Sequence, residues 1–327
     1  MRAAVVPRKG PPEVFELREV PDPVLRRADG VLVRVRATSV NPIDTYLRGG
    51  LVPVPLRQPF IPGGDACGIV EAVGDRVRDF AVGDRVFGLR PYIGGDGCYA
   101  ELALFREREL AKAPAGLSDE ELASVPLVGL TARQALLDIA DLRAGERVLV
   151  HGGSGGVGSF AIQLARACEA TVYTTASPRN HDFCRELGAH EVLDYRAGEH
   201  RQLRDLDVVF DTIGAYYLDS LPSLRRRGGR FVSTTLLGDD ERMAAGNFIK
   251  HGLRVVASAL RSPFGGLKTA AVRVKPDGPG LRHLAGLLES GAIRTHVSHT
   301  FPLDQIAEAH RQSQTKRTVG KIVVTIP

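Results

Sequence analysis

The feature that most constrains the fold of this chain is a short apolar run followed by a glycine-rich turn. Residues 147–151 read RVLVH, a run typical of a strand buried on both faces. Residues 157–167 mix apolar with small and polar side chains, as in a helix packed on a sheet. Between them lies a complete G-x-G-x-x-G pattern, made of Gly153, Ser154, Gly155, Gly156, Val157 and Gly158. Strand, glycine turn and helix follow in the order that a dinucleotide-binding site requires.

Each glycine of this pattern has a separate predicted role. Gly153 makes the tight turn after the strand, Gly155 lets a pyrophosphate approach the backbone, and Gly158 lets the helix lie close to the strand. The phosphates then meet unpaired N–H groups at the positive end of the helix dipole. The alternative is an ordinary turn between a strand and a helix, since the chain contains 36 glycines. The flanking strand and helix favour the dinucleotide site.

Strands and helices alternate after residue 147. The candidate strands span 147–151, 171–175, 190–193, 207–211, 229–234 and 253–257. The candidate helices between the earlier strands span 157–168, 179–187 and 216–226. Six strands that alternate with helices predict an α/β fold with a doubly wound parallel sheet.

The two ends of the chain differ from this alternating region. Residues 1–110 are short apolar runs punctuated by Gly, Pro and Asp, which predicts a mostly β, partly open barrel. Residues 262–277 are irregular, and strands are expected at 297–301 and 321–326. We expect these late strands to return to the first sheet. The sequence therefore predicts a catalytic domain formed by residues 1–118 and 261–327. A dinucleotide-binding domain, formed by residues 119–260, is inserted in it.

Composition and charge exclude several classes of protein. The 327 residues suffice for two domains, and 43% hydrophobic with 25% charged residues is typical of a globular enzyme. No run approaches the roughly 20 apolar residues of a membrane span. Pro7 interrupts the N-terminal run too early for a signal peptide, so a cytoplasmic location is expected. The net charge of +5 is scattered along the chain apart from Arg225-Arg226-Arg227, which makes nucleic acid an unlikely partner.

Several short motifs occur in a fixed order along nearly the whole chain. They are Asn41-Pro42-x-Asp44, Gly68-x-Val70-x-x-Val73-Gly74, Gly83-Asp84-Arg85-Val86, Leu130-Thr131-Ala132, the glycine pattern, Leu187-Gly188-Ala189 and Gly320-Lys321-Ile322-Val323. With these motifs the chain resembles the medium-chain dehydrogenase/reductase superfamily and, within it, the zinc-independent quinone oxidoreductases, the zeta-crystallin-like family. The resemblance implies a GroES-like, mostly β catalytic domain, an inserted Rossmann domain, hydride transfer from the cofactor and a homodimer.

The chain departs from the zinc-containing members of that superfamily at their metal sites. It has Gly63-Gly64-Asp65 where those enzymes carry Gly-His-Glu, and Gly64 offers no ligand atom. Their loop with four structural cysteines is missing here. The cysteines of this chain form no C-x-x-C pair and are expected to be free thiols; they are Cys67, Cys98, Cys168 and Cys184. We therefore predict no metal, with ligation by Cys67 and Cys98 as the alternative.

The segment after the second strand of the alternating region indicates which nicotinamide cofactor binds. Enzymes that use NAD place an acid there, about 20 residues after the glycine pattern, for the ribose 2′-OH. Residues 171–175 are instead followed by Ala176-Ser177-Pro178-Arg179, and no acid occurs before Asp182. Ser177 can donate a hydrogen bond and Arg179 can pair with a 2′-phosphate, so the sequence predicts NADPH. By resemblance, Tyr195 also approaches that phosphate.

The remaining candidate site residues follow from the resemblance and from the strand ends. By resemblance, Asn41 and Tyr46 face the nicotinamide and Thr131 lies close to it, so these three are assigned to catalysis. Cofactor-binding residues are further expected at the ends of the fourth and fifth strands, where ligands sit in such sheets, and near the C-terminus; they are Thr212, Gly214, Thr235, Leu236 and Lys321. Each assignment has a structural alternative, such as a turn at Asn41 or a packing role for Tyr46. We expect Asp65 to hold its loop by hydrogen bonds.

Without a metal, the predicted catalysis positions a hydride donor against an electron-poor acceptor. Three functions stay open at this point. The first is NADPH-dependent reduction of a quinone, by hydride or by single electrons. The second is reduction of an enone, an alkenal or an enoyl thioester on the same fold. The third is an NADPH-binding protein whose main role is interaction or RNA binding, which the positive net charge permits.

Overall fold

The chain forms two compact units, and the second interrupts the first in sequence. The computed structural model describes residues 1–52, 58–92, 95–234 and 267–327. Unit 1 comprises Met1–Leu130 and Lys275–Pro327, and unit 2 comprises Thr131–Val274. Within these described ranges, no helix has the length and apolar character needed to cross a membrane.

The elements are numbered along the chain over both units. The strands are β1 (Arg2–Val5), β2 (Glu16–Glu19), β3 (Gly30–Val40), β4 (Asp65–Val73), β5 (Arg85–Leu89), β6 (Leu102–Arg106), β7 (Leu110–Lys112), β8 (Arg147–His151), β9 (Thr171–Ala176), β10 (Glu191–Asp194), β11 (Val208–Asp211), β12 (Arg230–Ser233), β13 (Lys268–Ala271), β14 (Val297–Pro302) and β15 (Lys321–Thr325). The α-helices are α1 (Pro42–Gly49), α2 (Asp119–Ala123), α3 (Pro126–Arg133), α4 (Gly156–Ala167), α5 (His181–Glu186), α6 (Tyr217–Ser220), α7 (Gly278–Glu289) and α8 (Ile306–Gln314). A π-helical segment, Gln134–Ile139, continues α3. Short 3-10 turns lie at Pro12–Val14, Glu107–Glu109, Pro178–Asn180, Glu199–Gln202, Leu221–Ser223 and Leu303–Gln305.

Unit 1 is built on a mainly antiparallel sheet with the strand order β14-β15-β3-β4-β5-β7, and β6 also pairs with β3. The prediction that the late strands return to the first sheet is confirmed, because β15 runs antiparallel to β3 with Ile322 opposite Val40. Successive strand residues point to opposite faces, and every second residue from Val31 to Val35 enters one buried apolar core. The pairing of β15 with β3 brings Lys321 beside the end of β3, where the candidate residue Asn41 follows.

Unit 2 contains the predicted doubly wound sheet. Its strand order is β10-β9-β8-β11-β12-β13, and each neighbouring pair is parallel. The central strand β8 is buried on both faces, and its residues Val148, Leu149 and Val150 have no exposed surface. The chain order along the sheet reverses at β8, and ligands of such sheets bind at the carboxyl ends of the strands around this reversal.

Three segments differ from the sequence predictions. β13 lies in residues 262–277, which were expected to be irregular, and it pairs with β12 of unit 2. The helix predicted at 216–226 is only α6 followed by a 3-10 turn, because Pro222 cannot continue an α-helix. Helix α2 was assigned to the inserted domain but packs on β3 and β4 of unit 1. The strand predicted at 253–257 lies outside the described residues, and the predicted domain boundaries stay predictions.

Candidate active site and cofactor site

The turn between β8 and α4 uses its glycines in three ways. Gly152 has a φ of 75°, so it takes the left-handed conformation of the turn. Gly153 follows it inside the turn that the hydrogen bond from the Gly155 N–H to the carbonyl oxygen of Gly152 closes, in agreement with the prediction. A Cβ atom on Gly153 would lie 2.1 Å from Thr174 Oγ1, because the turn packs against β9. A Cβ atom on Gly158 would lie 2.2 Å from the carbonyl oxygen of Gly152, which confirms that α4 approaches β8 through a missing side chain.

Within the described part of the chain, no side chain caps the N-terminus of α4. Gly155 is its N-cap and carries no side chain to accept from the first-turn N–H groups, which have no partner within the helix. A Cβ atom on Gly155 would meet only the carbonyl oxygen of Gly152, at 3.5 Å, so its surroundings are open. Gly156 and Val157 begin the helix and are partly exposed. Uncapped donors and the positive end of the helix dipole make this a fitting place for a pyrophosphate.

The segment after β9 offers donors and no carboxylate until α5. Ser177 is partly exposed and Arg179 is exposed, and neither side chain has a hydrogen bond or ion pair within the described part of the chain. The neighbouring Asn180 donates from Nδ2 to Ser154 Oγ over 3.0 Å, which ties this segment to the glycine turn. The two candidate phosphate contacts therefore follow β9 beside the predicted pyrophosphate site.

A second arginine stands beside the candidate Tyr195. β10 runs parallel to β9 with Asp194 opposite Ala176, so Tyr195 follows β10 at the edge where Ser177 follows β9. Arg196 donates from Nε to the Tyr195 hydroxyl over 3.2 Å and lies with its Cζ 5.6 Å from the ring centroid. Arg196 was not among the predicted cofactor-binding residues, although its position next to Tyr195 was a usable signal. An exposed cation on this strand end suits a phosphate ligand.

The end of β11 is held by its own carboxylate. Asp211 accepts hydrogen bonds from the backbone N–H groups of Ile213, Gly214 and Tyr216, at 2.8–2.9 Å. Thr212 donates from Oγ1 to the carbonyl oxygen of His151 over 2.6 Å. The structure thus places Thr212 beside the glycine turn and Gly214 in the segment that Asp211 holds, while Thr235 and Leu236 lie outside the described residues.

His151, at the end of β8, is a buried neutral residue. Its Nε2 lies 3.0 Å from Ser220 Oγ and its Nδ1 lies 3.2 Å from Thr175 Oγ1. Its ring stacks on Tyr216 at a centroid distance of 4.3 Å. Burial, helped by the nearby His200, lowers the pKa of His151 to about 3. His151 therefore holds the strand ends together and carries no charge at physiological pH.

Unit 1 contains a buried polar group, here called the Asp65 cluster, formed by Ser39, Asn41, Asp65 and Lys321. Asp65 Oδ2 accepts from Ser39 Oγ at 2.5 Å and from Asn41 Nδ2 at 2.8 Å, and it lies 3.6 Å from Lys321 Nζ. The other oxygen, Oδ1, accepts from the backbone N–H of Leu127 over 2.7 Å. These contacts agree with the expectation that Asp65 holds its surroundings by hydrogen bonds.

The two candidate residues of the Asp65 cluster are turned into unit 1. Asn41 Oδ1 accepts from Lys321 Nζ at 2.5 Å, and Lys321 also donates to the carbonyl oxygen of Val40 over 3.3 Å. Asn41 has no exposed surface and Lys321 is 4% exposed. Burial lowers the pKa of Lys321, while the charge of Asp65 opposes this change. Catalysis by Asn41 and cofactor binding by Lys321 stay predictions, and here the two side chains orient each other.

The amide of Asn41 also reaches a tyrosine that was not among the predicted site residues. Asn41 Nδ2 donates to the hydroxyl oxygen of Tyr92 over 3.3 Å, and Tyr92 is partly exposed. A Cβ atom on Gly64 would lie 2.6 Å from Tyr92 Cζ and 2.7 Å from its hydroxyl oxygen. The phenol thus occupies the space beside Gly64. Of the other predicted catalytic residues, Tyr46 is partly exposed on α1 and Thr131 is buried on α3.

Asp44 is a buried acid at the start of α1. Its carboxylate accepts from the backbone N–H groups of Asn41 at 2.8 Å and of Gly63 at 3.2 Å. Burial raises the pKa of Asp44 from 3.8 to about 7, and the charge of Asp65 acts in the same direction. The folded protein therefore keeps a proton on Asp44 at pH values where the unfolded chain has lost it.

We expect Asp44→Asn to flatten the pH dependence of stability. Where the folded state binds more protons, stability falls as pH rises, by up to about 1.4 kcal/mol per unit between about pH 4 and about pH 7. The free energy of unfolding of wild type, minus that of Asp44→Asn, should therefore fall by roughly a few kcal/mol between about pH 4 and about pH 7. Urea unfolding at three pH values measures it. Asp84→Asn is the matched control, because hydrogen bonding to Ala81 lowers the pKa of Asp84 and moves its effect below this window. A constant difference for Asp44→Asn would contradict the prediction.

Comparison with known proteins places the chain in a family. Residues 27–115 match the family described as the alcohol dehydrogenase GroES-like domain, and residues 187–324 match the one described as zinc-binding dehydrogenase. The quinone oxidoreductase of Lama guanicoe is 33% identical, over 100% of this chain and 98% of the relative. The chain belongs to the quinone oxidoreductase family of the medium-chain dehydrogenase/reductase superfamily.

Solved structures of other quinone oxidoreductases share the architecture of both units. The enzyme from Coxiella burnetii has a TM-score of 0.86 and 30% identity, with 100% of this chain and 99% of that chain covered. The Escherichia coli enzyme, solved in complex with NADPH, has a TM-score of 0.80 and 26% identity, with 99% and 100% covered. The predicted fold class, a GroES-like domain with a Rossmann-type parallel sheet, is confirmed.

Proposed function

We propose that this quinone oxidoreductase family member reduces quinones with NADPH as the hydride donor. The observation that carries the choice of cofactor is the end of β9, where Ser177 and Arg179 stand in place of the acid that would bind a ribose 2′-OH, and where Arg179 has no ion pair with any described residue. The uncapped N-terminus of α4 supports binding of the pyrophosphate. The Escherichia coli relative in complex with NADPH supports the same assignment.

In the proposed mechanism, NADPH supplies the hydride when it is bound. The glycine turn and α4 would hold its pyrophosphate, and its 2′-phosphate would be held by Ser177, Arg179, Tyr195 and Arg196. Unit 1 provides hydrogen-bond donors for the oxygen of the acceptor, on which negative charge develops as the hydride arrives. We keep Asn41, Tyr46 and Thr131 as the proposed residues around the nicotinamide, with Asn41 held in its orientation by Lys321 and Asp65.

We also propose that the reaction uses no zinc. Gly64 stands where the zinc-containing relatives have a histidine, and Tyr92 fills the space that a side chain at residue 64 would enter. Both oxygens of Asp65 already accept hydrogen bonds within unit 1. In the described part of the chain, no three His, Cys, Asp or Glu side chains are grouped as a metal site requires. The homodimer and the cytoplasmic location stay predictions.

The test is steady-state oxidation of NADPH and NADH with quinones, enones and enoyl thioesters as acceptors, in the presence of EDTA. We expect turnover with quinones and preference for NADPH. Arg179→Asp should raise KM for NADPH at least about tenfold and leave that for NADH nearly unchanged, because a cation beside a phosphate is replaced by an anion. Arg185→Asp, on α5, makes the same charge change and should not alter the preference. Equal losses for both cofactors in Arg179→Asp would contradict the assignment, and activity on enones alone would favour the second candidate function.

A further inference from the structure

The hydroxyl of Tyr92 is fixed on one side and free on the other. Its oxygen accepts from Asn41 Nδ2 over 3.3 Å, and that amide is itself fixed by Asp65 and Lys321. An amide nitrogen cannot accept a hydrogen bond, so the phenolic proton is not used in this contact. Within the described residues the Tyr92 hydroxyl donates to no acceptor. The network of Asn41, Asp65 and Lys321 therefore fixes the position of the Tyr92 hydroxyl. This hydroxyl lies on a partly exposed side chain and, among the described residues, its proton has no acceptor.

Gly64 is the residue that makes room for this donor. A Cβ atom at residue 64 would lie within 2.7 Å of the Tyr92 hydroxyl oxygen, closer than any side chain tolerates. The position that carries a metal-binding histidine in the zinc-containing relatives is therefore taken here by a phenol. Burial and the nearby carboxylates of Asp44 and Asp65 raise the pKa of Tyr92 well above its usual value, so the phenol keeps its proton at physiological pH.

We propose that Tyr92 is the proton donor to the carbonyl oxygen of the acceptor, in the place where zinc-containing relatives use a metal. This inference rests on the proposed function. The hydride adds to an electron-poor carbon of the acceptor, and the π electrons move onto the carbonyl oxygen. That oxygen forms a new O–H bond with the Tyr92 proton as the phenolic O–H bond breaks. The phenolate is stabilised by the Asn41 amide and regains a proton from water.

Tyr92→Phe tests this role, because it removes the donor and keeps the ring. We expect kcat with a quinone to fall by about 10²–10⁴, the usual contribution of a general acid, with the Kd for NADPH and the melting temperature unchanged. The remaining rate should rise with the concentration of buffer acid and fall with increasing pH, since the proton must then come from solution. Wild type should show neither dependence. Tyr173→Phe, which removes a hydroxyl that accepts from Arg147 in unit 2, is the matched control and should keep full activity.

Gly64→Ala provides a second variant that leaves the hydroxyl in the protein. Its methyl group should displace the phenol and lower kcat. When Gly64→Ala is combined with Tyr92→Phe, kcat should fall little further, because both substitutions remove the same interaction of the Tyr92 hydroxyl. Full activity of Tyr92→Phe, or residual activity without buffer-acid dependence, overturns the role of Tyr92 and leaves the proposed function intact. If wild type oxidises NADPH with none of the tested quinones or enones as acceptor, the role of Tyr92 and the proposed function are both overturned.

Discussion

Replacing Asp65 with asparagine is expected to lower the free energy of unfolding of unit 1 by about 3–5 kcal/mol. The variant keeps the shape of the side chain but leaves the buried ammonium of Lys321 without the carboxylate that lies 3.6 Å from it. Burial already lowers the pKa of Lys321, so its charge is poorly tolerated without a partner. The amide also cannot accept all the hydrogen bonds that the carboxylate takes from Ser39, Asn41 and Leu127. Denaturant unfolding followed by circular dichroism measures the loss.

Two variants separate this effect from a general loss of charge. Glu71→Gln removes the carboxylate of an ion pair with Arg34 in the same sheet, where the side chains are 38% and 43% exposed. Surface pairs of this kind contribute about 0–1 kcal/mol, so this control should stay close to wild type. Lys321→Met, added to Asp65→Asn, should restore part of the stability because it removes the unpaired charge. A double variant no more stable than Asp65→Asn would contradict the account.

Gly158→Ala is expected to destabilise unit 2 by about 3 kcal/mol and to abolish binding of NADPH. The added methyl carbon would lie 2.2 Å from the carbonyl oxygen of Gly152 and 2.8 Å from Gly153 Cα, both backbone atoms that cannot rotate away. Helix α4 would have to move off β8, and the glycine turn would move with it. Thermal unfolding and a fluorescence titration with NADPH measure the two losses.

Gly155→Ala is the matched control, because it makes the same chemical change three residues earlier. Its methyl group would be 3.5 Å from the nearest atom, the carbonyl oxygen of Gly152, and its φ of −79° suits any residue. Stability should therefore stay within about 0.5 kcal/mol of wild type, as for substitutions that strain nothing. The Kd for NADPH should still rise at least about tenfold, because the methyl group faces the open side where the pyrophosphate would lie. Equal destabilisation by both variants would contradict these separate roles.

Local sequence patterns predicted five of the six described strands of unit 2, but missed the sixth. The strand Arg147–His151 is an uninterrupted apolar run because it is buried on both faces, and such runs are visible without any partner. The strand Lys268–Ala271 was missed because its sequence KTAA lacks a β-branched run, and among the described strands it lies at the edge of the sheet. The left-handed role of Gly152 was missed because the motif begins one residue later. Two adjacent glycines carry no local signal of which one takes the left-handed conformation.

The candidate site of unit 1 was predicted less completely, because its contacts join residues far apart in sequence. Asn41 and Tyr92 are 51 residues apart, and Asn41 and Lys321 are 280 apart. Motif comparison selected Asn41 and Lys321 but could not reveal that they bind each other in the interior. Tyr92 belongs to no motif, and its place is identified by the hydrogen bond from Asn41 and by the clash that a side chain on Gly64 would cause. Local periodicity cannot predict such pairs, which depend on tertiary packing.

The pairing of β15 with β3 also sets an order of assembly during synthesis. A ribosome that has produced β3 and β4 has made Asn41 and Asp65, but Lys321 emerges only after all of unit 2 has been translated. Unit 2 is contiguous in sequence and has its complete sheet by Ala271. The inserted unit can therefore fold while unit 1 is still missing a strand between β14 and β3 and the cation of the Asp65 cluster. Until then Asp65 can accept hydrogen bonds from Ser39, Asn41 and Leu127, but it lacks the cation that balances its charge.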